Sequence, residues 1–170
     1  PLVGLKIVTA VADGSGSGAV EREQYAPAKS ERAVDGKPWK HQPLWTIGPH
    51  RVPEQELLTS HIRLAAARAY VRQQGLDRVI GAKGPGRLGI VTAGKPYFDV
   101  IQAFADLGIV AGDLAGLGVR VLKLAMTYPL VEETALEFAA SVDELVVIEE
   151  KRPFIEQQLR AILHEAGCQV

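Results

Sequence analysis

Arg87-Leu-Gly-Ile-Val-Thr-Ala-Gly-Lys-Pro-Tyr-Phe-Asp-Val100 is a short, mostly apolar run that breaks at a glycine and passes into helical spacing. Leu88 to Ala93 carries the strand pattern and Gly94 the break. Tyr97, Val100, Ile101, Phe104 and Leu107 then recur along one helix face. The pattern repeats downstream. Val119 to Met126 is β-branched and apolar, stops at Thr127-Tyr128-Pro129, and feeds a helix opened by Glu132 and Glu133, acids suited to a positive helix start. Glu144 to Glu149 is a strand bounded by charge; it turns at Lys151-Arg152 and enters a helix with Pro153 at its first position. Strands alternating with helices predict an α/β fold of three layers, α/β/α, on a mostly parallel sheet.

Upstream the signals are more irregular. Leu5 to Ala12 is β-like, and Asp13-Gly-Ser-Gly-Ser-Gly18 after it has the composition of a mobile connection. It lacks the Lys-Ser/Thr of a phosphate-cradling P-loop, and no apolar helix period follows. Glu21 to Val52 is polar and punctuated by proline, with Trp39 and Trp45 as its large apolar anchors. So long a connection, beyond about 15 residues, is functional or disordered as a rule, and two tryptophans point to packing on a neighbouring domain. Pro53 to Gln74 reads as a helix with early acids Glu54 and Glu56, a Gly75 stop, and a stripe of Leu58, Ile62, Ala65, Ala69 and Tyr70; its charged face is expected to be solvated. Asp77 to Lys83 reads as a short strand that Gly84-Pro85-Gly86 turns directly into Leu88 to Ala93, an antiparallel hairpin.

Composition narrows the function classes. With 170 residues and 47% hydrophobic content the chain can bury one core of roughly 100 to 150 residues, with length left over for an appendage. The net charge of -1 comes from 19 basic and 20 acidic residues mixed along the chain, so no field is present to hold nucleic acid or an anionic membrane. A single cysteine, Cys168, forms no internal disulfide and suits a reducing compartment, the cytoplasm by default. No apolar run approaches the length of a membrane span, which is about 20 residues. The chain starts without Met inside a strand pattern, which reads as an excised piece of a longer protein.

Three segments carry a specific resemblance: Arg87 to Val100, Met126-Thr-Tyr-Pro-Leu130, and Val147-Ile-Glu-Glu-Lys-Arg-Pro-Phe-Ile-Glu156. Together they resemble indolepyruvate ferredoxin oxidoreductase, particularly its long fused form, within the 2-oxoacid:ferredoxin oxidoreductases. The resemblance covers Arg87 to Leu163, with weaker similarity through Gly75 to Val79 and Leu5 to Thr9. It implies a transketolase C-terminal-like domain of five strands, ordered first, third, second, fourth, fifth, with the first strand antiparallel at the edge. On this reading residues 1–52 are the tail of a preceding domain plus a long connection, 53–76 a connecting helix, and 77–170 the domain itself, lacking its last strand. The edge of Leu145 to Glu149 is then expected to pair with Leu5 to Ala12 or across a homodimer. For the intact enzyme the resemblance implies thiamine diphosphate, Mg²⁺ and [4Fe-4S] clusters, with ferredoxin, CoA and the other domains as partners. It places none of these cofactors in this segment.

The residues agree in offering little chemistry. Gly84-Pro-Gly-Arg-Leu-Gly89 spells a dinucleotide fingerprint, but its glycines precede the strand instead of following it, so no helix amides meet a pyrophosphate there. His41, His50, His61 and His164 are irregularly spaced, and only His164 and Cys168 share a helical face, too few ligands for zinc. There is no Cys-x-x-Cys for an iron-sulfur cluster, no Gly-Asp-Gly for thiamine diphosphate, and no Ser-His-acid spacing for a hydrolase. What remains is what the resembled family's strand order implies, a crevice where the sheet connections diverge, which Thr92, Gly94, Lys95, Glu149, Glu150, Lys151 and Arg152 would line. Its mixed charges suit an interdomain salt-bridge cluster, or a seat for a small anion or a partner's carboxylate. The expectation is a non-catalytic interdomain segment of the oxidoreductase; the rival is a free-standing flavodoxin-like ligand-binding or regulatory module.

Overall fold

The computed structural model describes residues 33–34, 37–40 and 48–168, in a chain that divides into two compact units, Pro1–Pro53 and Glu54–Val170. In the first unit β1 (Ala33–Val34) pairs antiparallel with β2 (Lys37–Pro38). The strand read at Leu5 to Ala12, the glycine loop after it, and Trp45 lie outside the described residues.

A continuous helix runs through α1 (Val52–Leu57), a π-helical stretch (Leu58–Arg63) and α2 (Leu64–Gln73). Within the middle stretch the Ser60 hydroxyl donates to the Glu56 carbonyl at 2.7 Å, competing with the backbone ladder. Only Val71 of this helix is buried. The charged face is exposed as expected, but it also has partners. Arg68 pairs with Glu132, and Arg72 with Glu133 at 3.6 Å and Glu137 at 3.0 Å, so the face is clasped to a later helix.

The core is a four-stranded sheet in the order β3-β5-β4-β6: β3 (Arg78–Gly81), β5 (Val119–Leu124), β4 (Gly86–Ala93), β6 (Val142–Ile148). β4 is parallel to both neighbours, and β3 is the single antiparallel edge. The expected hairpin between β3 and β4 does not form, because β5 lies between them. The connection straddles the start of β5: Ala82 N–H donates to the Val119 carbonyl at 3.2 Å, and Arg87 N–H to the Gly118 carbonyl at 2.7 Å. Among the described residues β6 is bonded to β4 alone.

Side chains of alternate strand residues feed two cores, as a pleated sheet requires. On one face Val91, Leu122, Leu124, Leu145 and Val147 pack with Leu130, Ala135, Phe138, Ile155 and Leu159. Those residues bring in α4 (Glu132–Ala139) and α5 (Ile155–Glu165). On the other face Ile90, Val119, Val121 and Ile148 pack with Tyr97, Val100 and Phe104 of α3 (Lys95–Asp106) and with Leu114. The three-layer α/β/α architecture follows.

Several boundaries shift from expectation, two of them at the helices α3 and α5. Leu107 does not join the α3 stripe; it follows the last helical turn and is 74% exposed. Pro153 does not open α5, which begins at Ile155, for a reason that lies in Glu149. The apparent dinucleotide fingerprint also has a packing explanation. A side chain at Gly89 would meet Val142 Cγ2 at 2.9 Å and Phe138 Cε1 at 3.0 Å, so this glycine admits the close approach of α4 and β6.

Candidate functional site

At the C-terminal ends of β4 and β6 the chain leaves onto opposite faces of the sheet, into α3 on one and into α5 on the other. An open cleft of about 310 Å³ lies between these ends. Of the seven residues the sequence points to, Gly94, Lys95, Glu149, Glu150 and Arg152 line it, together with Thr127, Ile148 and Phe154. Thr92 and Lys151 do not line it. Thr92 is fully buried beneath α3, and Lys151 is exposed in the turn.

Gly94 makes the cleft's first wall possible. Its φ of 60° and ψ of -134° lie outside the range of most L-residues, and this lets β4 pass into α3 without an intervening loop. Lys95 follows. Its ammonium bonds both carboxylate oxygens of Asp99, at 2.6 and 2.9 Å, and lies 3.9 Å from Glu150. The hydrogen bond that Lys95 donates to Asp99 holds the lysine pKa above its ordinary range.

The opposite wall turns on Glu149. Its carboxylate accepts the amide of Phe154 at 3.1 Å, of Ile155 at 2.7 Å and of Glu156 at 3.0 Å. These are orphan donors of the first turn of α5, and an acid there also meets the positive end of the helix. Helix α5 therefore starts where this carboxylate reaches it, two residues beyond Pro153. The tight return needs Lys151 at φ 69°, an uncommon conformation for a side chain with a Cβ. Gln158, which no sequence pattern singled out, ties the 127–130 loop to α5. Its amide group donates to the carbonyl of Thr127 at 2.9 Å and accepts from the N–H of Leu130 at 3.2 Å. The exposed rings of Tyr128 and Phe154 lie 6.1 Å apart at the rim.

Chemically the cleft is a charged seam whose strongest acid acceptor, Glu149, is already committed to backbone amides. Its lining includes neither His nor Cys. Nor do the residues fit the cofactors of the resembled family. An iron-sulfur cluster needs about four cysteines and the chain has one. Among the described residues no group of three His, Cys, Asp or Glu side chains gathers to hold a metal such as the Mg²⁺ of a diphosphate site.

The sequence model of the indolepyruvate oxidoreductase domain matches residues 77–169, from the start of the sheet through α5. The chain belongs to this family. Indolepyruvate oxidoreductase subunit IorA of Methanothermobacter marburgensis is 30% identical over 95 residues, which are 56% of this chain and 14% of that protein. The subunits of the same name from Methanothermobacter thermautotrophicus and Archaeoglobus fulgidus are each 31% identical, over 91 and 80 residues. The matched stretch thus spans only 12 to 14% of these relatives. Among solved structures, a 2-oxoglutarate:ferredoxin oxidoreductase from Magnetococcus marinus, with 2-oxoglutarate, coenzyme A and succinyl-CoA bound, aligns with a TM-score of 0.40 at 16% identity. That alignment covers 77% of this chain and 20% of the other. Both walls of the cleft lie within the residues that define the indolepyruvate oxidoreductase domain. No described helix is long and apolar enough to cross a membrane.

Proposed function

We propose that this chain is a non-catalytic structural segment of a thiamine-diphosphate-dependent 2-oxoacid:ferredoxin oxidoreductase of the indolepyruvate type. In that reading residues 53–76 are a connecting helix and 77–170 a transketolase C-terminal-like domain. The intact cytoplasmic enzyme decarboxylates an arylpyruvate oxidatively to an acyl-CoA and passes the electrons through iron-sulfur clusters to ferredoxin. Other domains hold the thiamine diphosphate, Mg²⁺ and clusters. The cleft formed by Gly94, Lys95, Glu150 and Arg152 is a contact with one of those domains.

One observation carries the reading beyond family membership: the cleft's polar groups hold the domain's own structure together. Glu149 fills the amide cradle at the start of α5, which is where the phosphate of a ligand would sit if the domain were a free-standing binding module. Lys95 is engaged by Asp99. The test is titration calorimetry of the chain with thiamine diphosphate and Mg²⁺. No saturable heat is expected, and Mg²⁺-dependent saturable binding would overturn the assignment of the cofactor to other domains.

A further inference from the structure

A second surface lies on the α3 side of the sheet, at the corner where β3 meets β5. Arg78 and Lys123 are direct partners in that antiparallel ladder, so their side chains leave the same face. Like charges placed directly opposite destabilise a sheet, and here both are cationic. The Lys123 ammonium lies 4.4 Å from the centre of the Tyr97 ring and 5.4 Å from that of Phe98, and Phe98 is itself 62% exposed. The carboxylates on adjoining elements are committed elsewhere: Asp77 accepts the Ala125 amide at 2.7 Å, and Asp99 holds Lys95 at 2.6 Å. Among the described residues no ion pair reaches Arg78 or Lys123.

We propose that Arg78, Lys123 and Phe98 form a docking corner for an acidic protein segment, which sets a carboxylate between the two cations and an apolar side chain against Phe98. A protein segment fits better than a small anion, because small-ligand sites are concave whereas Arg78 and Phe98 both stand out in solvent. Arginine and aromatic anchors on an open surface are also the residues that protein interfaces favour. The segment that fits this role is another part of the intact protein, since the matched stretch is 14% of a relative. In the unbound chain the two cations repel; a partner carboxylate removes that repulsion. The corner is separate from the cleft and stands whether or not the cleft is an interdomain contact.

The experiment is an amide-resolved NMR titration of the chain with a Glu-Glu-Phe-Glu-Glu peptide, run beside inorganic phosphate and ATP. The peptide should give saturable shifts centred on Arg78, Phe98 and Lys123. Affinity should fall about fivefold or more as NaCl rises from about 50 to about 300 mM. The double variant Arg78→Gln/Lys123→Gln should lose about tenfold in affinity while melting at the same temperature as the parent or higher, because a repulsive pair has been removed. Phe98→Ala, an exposed change, should weaken the peptide about threefold or more with the cations intact. Absent shifts, shifts that persist in the double variant, or a double variant that melts lower would overturn the proposal. A stronger response to phosphate or ATP than to the peptide would also overturn it, in favour of a small anionic ligand.

Discussion

Thr92 is completely buried, and its hydroxyl has no hydrogen-bond partner among the described residues. In register it stands between Lys123 of β5 and Ile148 of β6, on the face that α3 covers. A buried hydroxyl without a partner costs free energy, and valine has the same shape without that group. Thr92→Val is therefore expected to raise stability by up to about 1 kcal/mol, read as a higher denaturant midpoint at an unchanged slope. A lower midpoint would show that the hydroxyl is satisfied. Asp77 gives a second residue-level expectation, with a pH signature. Burial pushes its carboxyl up from the ordinary 3.8, while the amides of Ala125 and Met126 pull it down without cancelling the effect. Folded Asp77 thus holds its proton more tightly than the unfolded chain does. Its contribution favours folding below the unfolded value of 3.8 and is lost as pH rises through the raised folded value. Asp77→Asn keeps one acceptor for Ala125 and carries no charge. The variant should match or exceed the parent's stability at pH 7, with the margin closing as pH falls toward 3.8, measured by urea unfolding across that range. A deficit that stays constant with pH would show that the second amide bond outweighs burial.

At the scale of elements, the helix from Val52 to Gln73 meets the sheet domain through charged pairs as well as through Val71. Val71 is its one buried side chain, whereas Arg68 and Arg72 reach Glu132, Glu133 and Glu137 on α4. The arginines are 36 and 45% exposed and the glutamates 52 to 70%, so water and salt screen these pairs. Arg72→Ala is expected to cost under about 1 kcal/mol at low ionic strength and less in about 1 M salt. Hydrogen exchange should quicken in residues 64–73 while β4 stays protected. Equal protection of both in parent and variant would mean that apolar contact, not charge, holds the helix.

At the scale of the whole molecule, everything is built on β4, the strand flanked on both sides by parallel neighbours. Ile90 is 7% exposed there, within the α3-side core. An unpaired charge at that depth costs several kcal/mol, a large part of the roughly 5 to 15 kcal/mol that holds a typical domain folded. Ile90→Asp should yield no soluble folded protein, checked by expression and circular dichroism; wild-type melting would refute the central placement of β4. The three strand-helix units and the parallel direction were legible in Leu88 to Ala93, Val119 to Met126 and Glu144 to Glu149, whereas the central placement of β4, and of β5 beside β3, came from the strand order that the family resemblance implies. Apolar spacing and Gly94 act within a few residues, and local signals survive in a linear text. The neighbourhood of Gly94, Lys95, Glu149, Glu150 and Arg152 was legible once the strand order of the resembled family was assumed, since each lies at a strand end. Other features were decided only by the tertiary structure. Glu149 folds back over Lys151 to start α5 at Ile155, Gln158 ties down the 127–130 loop, and Arg68 finds a partner 64 residues away. Each depends on which distant groups are left unpaired once the sheet has formed, and no local period of the sequence encodes that.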